Sequence, residues 1–391
     1  MNWREFRQVG HWPTLLSAFL YFDVSFMVWV MLGPLAVYIG KALELPAEEM
    51  FTVVAIPILA GAALRIPMGM LADHIGPKRT GQLGQLVVMT GLTYAWLAGL
   101  HSKLEVELLG LILGVAGASF AVALSQASRW YPPKYQGIVM GIAGAGNSGV
   151  VLAALFVPSL AEAFGMQQVF GVMLIPLAIV FVLYSLMVKD APEPRQPVTL
   201  ANYAAVLKDR DTWWFMFFYS ITFGGFVGLS SALPLYFTTW YSASGVAAGL
   251  MVALVVFGGS AFRPIGGWLA DRIGGLKALQ ILFALVAVAY LTMAFLPQGP
   301  VPTAEIAALT KVGGWAFTDL PGTAWIAVSV FFVGAMALGM GNGCVFQLVP
   351  LRFRNEIGVM TGLVGAAGGL GGFFLARTLG LSRDLTGGFA A

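Results

Sequence analysis

The sequence predicts an all-α membrane protein built from two repeated halves, on three observations. First, hydrophobic residues make up 59% of the 391 residues and charged residues 10%, with a mean hydropathy of +0.84. A soluble domain carries roughly 25% charged residues. Second, eleven apolar runs reach the length needed to cross a bilayer: 14–39, 49–72, 81–100, 105–128, 137–161, 167–188, 212–239, 245–270, 277–296, 323–349 and 357–379. Third, spans six apart resemble each other, which is the mark of an internal duplication.

The clearest repeat joins spans 2 and 8. Arg65-Ile-Pro-Met-Gly-Met-Leu-Ala-Asp73-His-Ile-Gly76 recurs as Arg263-Pro-Ile-Gly-Gly-Trp-Leu-Ala-Asp271-Arg-Ile-Gly274, with seven of twelve positions identical. In each copy an arginine precedes an aspartate by eight residues, about 12 Å of helix. With the aspartates at the membrane surface, both arginines fall near the middle of a hydrocarbon layer about 30 Å thick. A second repeat joins spans 5 and 11. Gly141-Ile-Ala-Gly144-Ala-Gly-Asn147-Ser-Gly149 resembles Gly362-Leu-Val-Gly365-Ala-Ala-Gly368-Gly-Leu-Gly371.

Taken in order, the chain opens with a short polar segment, Met1 to His11, and no cleavage site of small residues follows the first span, so no removable signal peptide is expected. The longest polar interior stretch, Lys189 to Asp211, contains Pro192, Pro194 and Pro197 and reads as a linker. Residues 1–190 are then a six-helix half, 191–211 a cytoplasmic linker, and 212–391 a second half with five visible helices. A Pro/Gly-rich loop runs from Pro297 to Pro321. With the N-terminus cytoplasmic, fourteen basic residues lie in cytoplasmic segments against three outside (Lys41, Lys103 and Lys311). That asymmetry orients the chain by the positive-inside rule. The single cysteine, Cys344, excludes an intrachain disulfide and reads as a packing residue.

The stretch Gly69-Met-Leu-Ala-Asp73-His-Ile-Gly76-Pro-Lys-Arg79, with its echo Gly267 to Gly274, resembles the helix 2–3 loop of the major facilitator superfamily. Within it the chain looks like the nitrate/nitrite porter family. An arginine in both helix 2 and helix 8, Gly144 to Gly149, Gly365 to Gly372, and the helix 1 run Phe22-Asp-Val-Ser-Phe-Met-Val-Trp29 carry this resemblance over the whole chain. It implies an inner-membrane secondary carrier that takes up nitrate, with or in exchange for nitrite, by alternating access. Coupling is by proton symport or by nitrate/nitrite antiport. The family has twelve spans, so the twelfth helix is expected to be missing.

Candidate site residues follow. Arg65 and Arg263 are read as a clamp for a small anion, because a guanidinium is permanently charged and bonds a planar oxyanion through paired donors. The bland reading pairs each with a carboxylate, Asp23 or Glu162. Gly144 and Gly365 belong to the glycine-rich segments, read as tight helix packing and, functionally, as backbone exposed to ligand. Asn147 either donates to the anion or bridges helices; the resemblance favours the anion. Tyr219 and Phe223 share a helix face, and Phe120 sits in span 4. From the residues alone they are lipid-facing or packing aromatics; the resemblance implies that they flank the anion. Asp23, nearly alone among carboxylates inside a span, either couples a proton or caps a helix. Trp213 and Trp214 read as interface anchors, and His11, His74 and His101 as solvated.

No cofactor, no metal cluster and no phosphate-binding loop is expected, and no catalytic constellation that would make this an enzyme. The expected partners are nitrate or nitrite, the lipid bilayer and protons, with no nucleic acid, and the carrier is expected to be monomeric. A carrier of formate or oxalate is the near alternative; a non-transporting sensor is the distant one.

Overall fold

The computed structural model describes residues 3–132, 135–191, 199–295, 320–353 and 356–386. Pro192, Pro194 and Pro197 of the linker, most of the 297–321 loop, and four basic residues used for orientation (Lys134, Arg195, Lys311 and Arg354) lie outside them. So do residues 387–391.

Eleven long helices form among the described residues: α1 (Trp12–Ala42), α2 (Ala47–Ile75), α3 (Pro77–Leu97), α4 (Lys103–Ser128), α5 (Gln136–Phe164), α6 (Met166–Met187), α7 (Arg210–Trp240), α8 (Gly245–Ile273), α9 (Gly275–Phe295), α10 (Gly322–Arg352) and α11 (Ile357–Thr386). Each expected span coincides with one of them, shifted by a few residues. Ten are long and apolar enough to cross a membrane. The exception is α3, whose first turns hold Lys78, Arg79, Thr80, Gln82 and Gln85. Its polar face is absorbed inside the protein: α3 packs on α6, where Gln82 donates to Ser185 (2.8 Å). Large apolar side chains such as Val87, Ile179, Phe257 and Phe374 are exposed, as a lipid-facing rim requires. Trp213 and Trp214 are exposed at the start of α7, and Trp213 Nε1 donates to the Leu207 carbonyl (2.9 Å).

Two features of the repeat explain its conserved spelling. Gly76 and Gly274 end their helices with φ +99° and +91°, the left-handed region that a side chain resists. Asp73 accepts from Arg129 at the end of α4, and Asp271 accepts from Gln347 on α10 (3.0 Å). Each aspartate therefore ties its helix to the helix two further on.

The second half repeats the internal packing of the first. Trp29 of α1 lies against Gly61, one turn before Arg65, and Phe226 of α7 lies against Gly259, one turn before Arg263. Between the halves, α2 packs on α11, α5 on α8 and α1 on α7. At one face these contacts are tight. A methyl on Gly380 would be 2.9 Å from Phe51 Cβ and one on Gly249 would be 2.7 Å from Pro158 Cγ. There Arg383 pairs with Glu48 (3.2 Å), and the Tyr38 hydroxyl donates to the Pro158 carbonyl (3.2 Å) and to Glu162 (3.3 Å). At the opposite face, which carries the N-terminal segment and the linker, a methyl on Gly141 or Gly358 would meet no atom within 4 Å. The packing between the halves is thus close at the far face.

Two short helices dress the linker face, Trp3–Val9 and Leu200–Val206. Phe6 stacks on Tyr131 (4.8 Å). Tyr203 is buried against the Gly69 and Gly362 surfaces, and burial with Asp73 nearby pushes its hydroxyl pKa up to about 12. His74 and His101 are exposed, but His11, expected to be solvated, caps α1: its Nδ1 accepts from Thr14 N (3.2 Å).

Candidate functional site

Both arginines sit beside interruptions in helical regularity, and local sequence explains why. Pro264 follows Arg263 directly and cannot donate a backbone hydrogen bond, so α8 breaks at Phe262 and restarts at Arg263. Arg65 lies between Pro57 and Pro67, both inside α2. Opposite Arg65, α4 breaks at Ala118. Ala121 N bonds Ala118 O (3.1 Å) rather than Gly117 O, and the released Gly117 carbonyl accepts from Arg65 Nε (3.4 Å).

The arginines then reach across the molecule in matching fashion. Arg65 Nη1, from the first half, donates to the carbonyl of Gly365 on α11. Arg263 Nη1, from the second half, donates to the carbonyl of Gly144 on α5 (3.4 Å). Gly144 and Gly365 are the counterparts matched in the sequence repeat. Each arginine therefore contacts exposed backbone on the glycine-rich helix of the other half. At Gly365 the absence of a side chain eases this approach, since a methyl there would be 3.2 Å from Arg65 Nη1; one on Gly144 would sit at an ordinary 3.6 Å from Arg263 Nη2.

Ring faces complete the surroundings. The Arg65 guanidinium carbon lies 4.8 Å from the centroid of Phe223, 5.2 Å from Phe120 and 5.6 Å from Trp29. Arg263 lies 5.7 Å from Phe346. Tyr219 stacks on Phe223 (5.0 Å, 4°) and meets Phe346 edge-on (5.1 Å). Phe120, Tyr219 and Phe223 are at most 1% exposed, so the lipid-facing reading of these aromatics is wrong. Phe120 and Phe223 turn their π faces on Arg65, which an electron-rich ring attracts; such contacts reach about 2 kcal/mol when desolvated.

The carboxylate reading of the arginines fails as well. Among the described residues no carboxylate lies within 4 Å of either guanidinium. Glu162 accepts from Tyr38. Asp23, 8% exposed, accepts from Ser148 Oγ (2.6 Å). Arg65 is 1% exposed and its Nη2 has no partner. The two guanidiniums are close enough to act on each other, and the Tyr219 hydroxyl faces both without a regular hydrogen bond to either. Placing an unpaired arginine in the membrane interior costs at least ~2.5 kcal/mol. The arrangement is a buried, positively charged slot with spare donors.

Asn147 was expected within a continuous helix. Instead Ala145–Ser148 is a 3-10 turn that interrupts α5, as a stretch of glycines, asparagine and serine with low helix propensity permits. Asn147 is fully buried with neither amide atom partnered. Gly146 and Gly149 on either side press on the backbone of α1 at Asp23, which seats Asp23 beside the turn. Cys344 is buried, with Sγ 3.2 Å from the Gly266 carbonyl.

Three contributors were missed: Trp29, Gly117 and Phe346. Trp29 had appeared only in the motif of span 1; its indole donates to the Pro57 carbonyl (2.7 Å) and covers Arg65. A signal for Phe346 existed. Gly117-x-x-Phe120 in α4 recurs as Gly343-x-x-Phe346 in α10, six spans on.

The profile of the Major Facilitator Superfamily matches residues 17–376. The chain is a nitrate/nitrite porter-family member of that superfamily. It is 31% identical over 367 residues to the Nitrite extrusion protein of Bacillus subtilis (strain 168), which covers 94% of this chain and 86% of that protein. It is 34% identical to the Probable nitrate/nitrite transporter NarK2 of Mycobacterium tuberculosis (strain ATCC 25618 / H37Rv), covering 92% and 86%. A third relative is the Probable nitrate transporter NarT of Staphylococcus carnosus (strain TM300), at 32% identity with 93% and 87% covered. Among solved structures, a D-xylose-proton symporter superposes with a TM-score of 0.69 at 15% identity, covering 96% of this chain and 90% of that one. That likeness shows the fold.

Proposed function

We propose that this chain is a secondary carrier of nitrate, also handling nitrite, that works by alternating access in the inner membrane as a monomer. Residues 1–190 and 212–391 are the two moving halves, joined by the 191–211 linker. Basic residues concentrate on the linker face, so that face is cytoplasmic and the structure is of a form closed to the outside. The anion binds between Arg65 and Arg263, with Asn147 and Tyr219 as neutral donors. Phe120 and Phe223 narrow the slot, and Gly144 and Gly365 leave room for it.

One observation carries this reading: the crossed donation of each arginine to a glycine carbonyl of the opposite half, with no carboxylate present. A carbonyl oxygen is a weak stand-in for an oxyanion. An anion entering the slot displaces it and takes bidentate bonds from both sides. It also relieves repulsion between two cations in a low-dielectric setting. The nitrate and nitrite in the names of the relatives support this identity for the anion.

The test is uptake of labelled nitrate into proteoliposomes, with and without internal nitrite and with and without a pH gradient. Saturable nitrate uptake is expected. Uptake driven only by internal nitrite identifies exchange; uptake driven by the pH gradient identifies symport, with Asp23 as the coupling carboxylate. Asp23→Asn then removes the pH-driven component. Transport of formate or oxalate in preference to nitrate would overturn the assignment.

A further inference from the structure

Asn342 on α10 takes part in none of the contacts above. It is fully buried and neither of its amide atoms has a partner. Thr222 on α7 is 1% exposed and its hydroxyl is also unpartnered. A threonine in a helix usually bonds its own preceding turn, and an amide buried without a partner is unfavourable wherever water is excluded. Two such groups in one place call for a polar occupant.

Their place is beside the arginine slot. Asn342 precedes Phe346 by four residues and so shares its helix face, and Phe346 is the ring that covers Arg263. Gly343, the next residue, packs on the helix segment that begins at Arg263: a methyl there would be 2.7 Å from Gly267 N. Gly341, the residue before, packs against the Thr222 side chain. Asn342 is therefore held between Thr222 and the Arg263 segment, about one helical turn (~6 Å) from Phe346 toward the far face. The Gly343-x-x-Phe346 echo of Gly117-x-x-Phe120 matches Asn342 with Ala116 in the first half. The shared fold does not need an amide at this position.

We propose that Asn342, oriented by Thr222, binds one oxygen of the carried anion and selects three-oxygen over two-oxygen anions. This rests on the nitrate reading of the site. Three oxygens present about six lone-pair positions and two oxygens about four. Two guanidiniums, each bidentate, fill four. A three-oxygen anion leaves two positions, one for Asn342 and one for whichever of the other neutral donors, Asn147 or Tyr219, reaches it. A two-oxygen anion leaves none. With the anion bound, the Thr222 hydroxyl would turn to donate to Asn342 Oδ1, which leaves the Nδ2 donor for the anion.

The experiment is equilibrium binding of nitrate and of nitrite to the purified full chain, as wild type, Asn342→Leu and Thr222→Val. Asn342→Leu is expected to weaken nitrate roughly tenfold, the loss of one hydrogen bond to a charged group, and to change nitrite less than twofold. Thr222→Val moves the ratio the same way by a smaller factor and tests the assignment even if the leucine variant does not fold. Equal losses for both anions, or no loss for either, overturn the proposal while leaving the arginine site standing. Absence of nitrate binding by the wild type overturns the nitrate reading itself.

Discussion

Arg65 and Arg263 occupy equivalent positions in the two halves, yet their surroundings differ. Arg65 is sealed: three rings, two carbonyls, and 1% exposure. Arg263 is half-buried, with one ring and one longer carbonyl contact. Neighbouring Ala145 and Pro264 are exposed on that side. The duplication thus supplies two like charges, one sealed by its packing and the other only partly covered.

The largest expected effect breaks the sealed member. Arg65→Lys keeps the charge but loses the planar fork that can hold Gly117 while it binds the anion; nitrate uptake in proteoliposomes should fall at least about a hundredfold. Arg263→Lys should fall less, roughly tenfold, because its environment lets a lysine ammonium stay hydrated. Equal losses would mean that the difference in burial has no functional weight. Next come the glycines. Gly365→Ala places a methyl 3.2 Å from Arg65 and Gly144→Ala one 3.6 Å from Arg263. The first is tighter than ordinary contact, the second ordinary, so Gly365→Ala should raise the nitrate Kd by several-fold more than Gly144→Ala. Removing the ring over one arginine at a time sharpens the contrast: Phe346→Leu should cost about 1 kcal/mol in nitrate binding through Arg263. Trp29→Phe should cost no more than about that, since two other rings still cover Arg65. The smallest effect lies away from the slot. Glu48→Gln removes the far-face partner of Arg383, an exposed pair worth under ~1 kcal/mol. It should raise labelling of a cysteine introduced at the far face, in a Cys344→Ser background, by a factor of a few while leaving nitrate affinity within twofold.

Much of this contrast was invisible in the sequence, for a definite reason. Helix positions could be read because apolar length alone dictates them, and this held even for α3, whose first turns are polar. The arginine pair could be read because an isolated charge in an apolar run is costly. The repeat of Gly144 and Gly365 could be read too, although what each touches could not. Those contacts cross between halves, 300 residues apart for Arg65 and Gly365, while the breaks beside the arginines, at Ala118 and Phe262, are local. The Pro264 break is a spelling one can learn to see. The Ala118 break carries no proline, and its cause lies in packing: Trp29 presses on Gly117. Aromatic residues were the weakest inference, because composition cannot say whether a phenylalanine in a span faces lipid, another ring or a cation.

The central claim is that two arginines from equivalent helices make one divided anion site. Calorimetric titration of nitrate into purified wild type, Arg65→Ala and Arg263→Ala, each checked for retained helicity, addresses it most directly. The expected result is saturable binding by the wild type and none measurable by either variant. Near-wild-type nitrate affinity in either folded variant would contradict it.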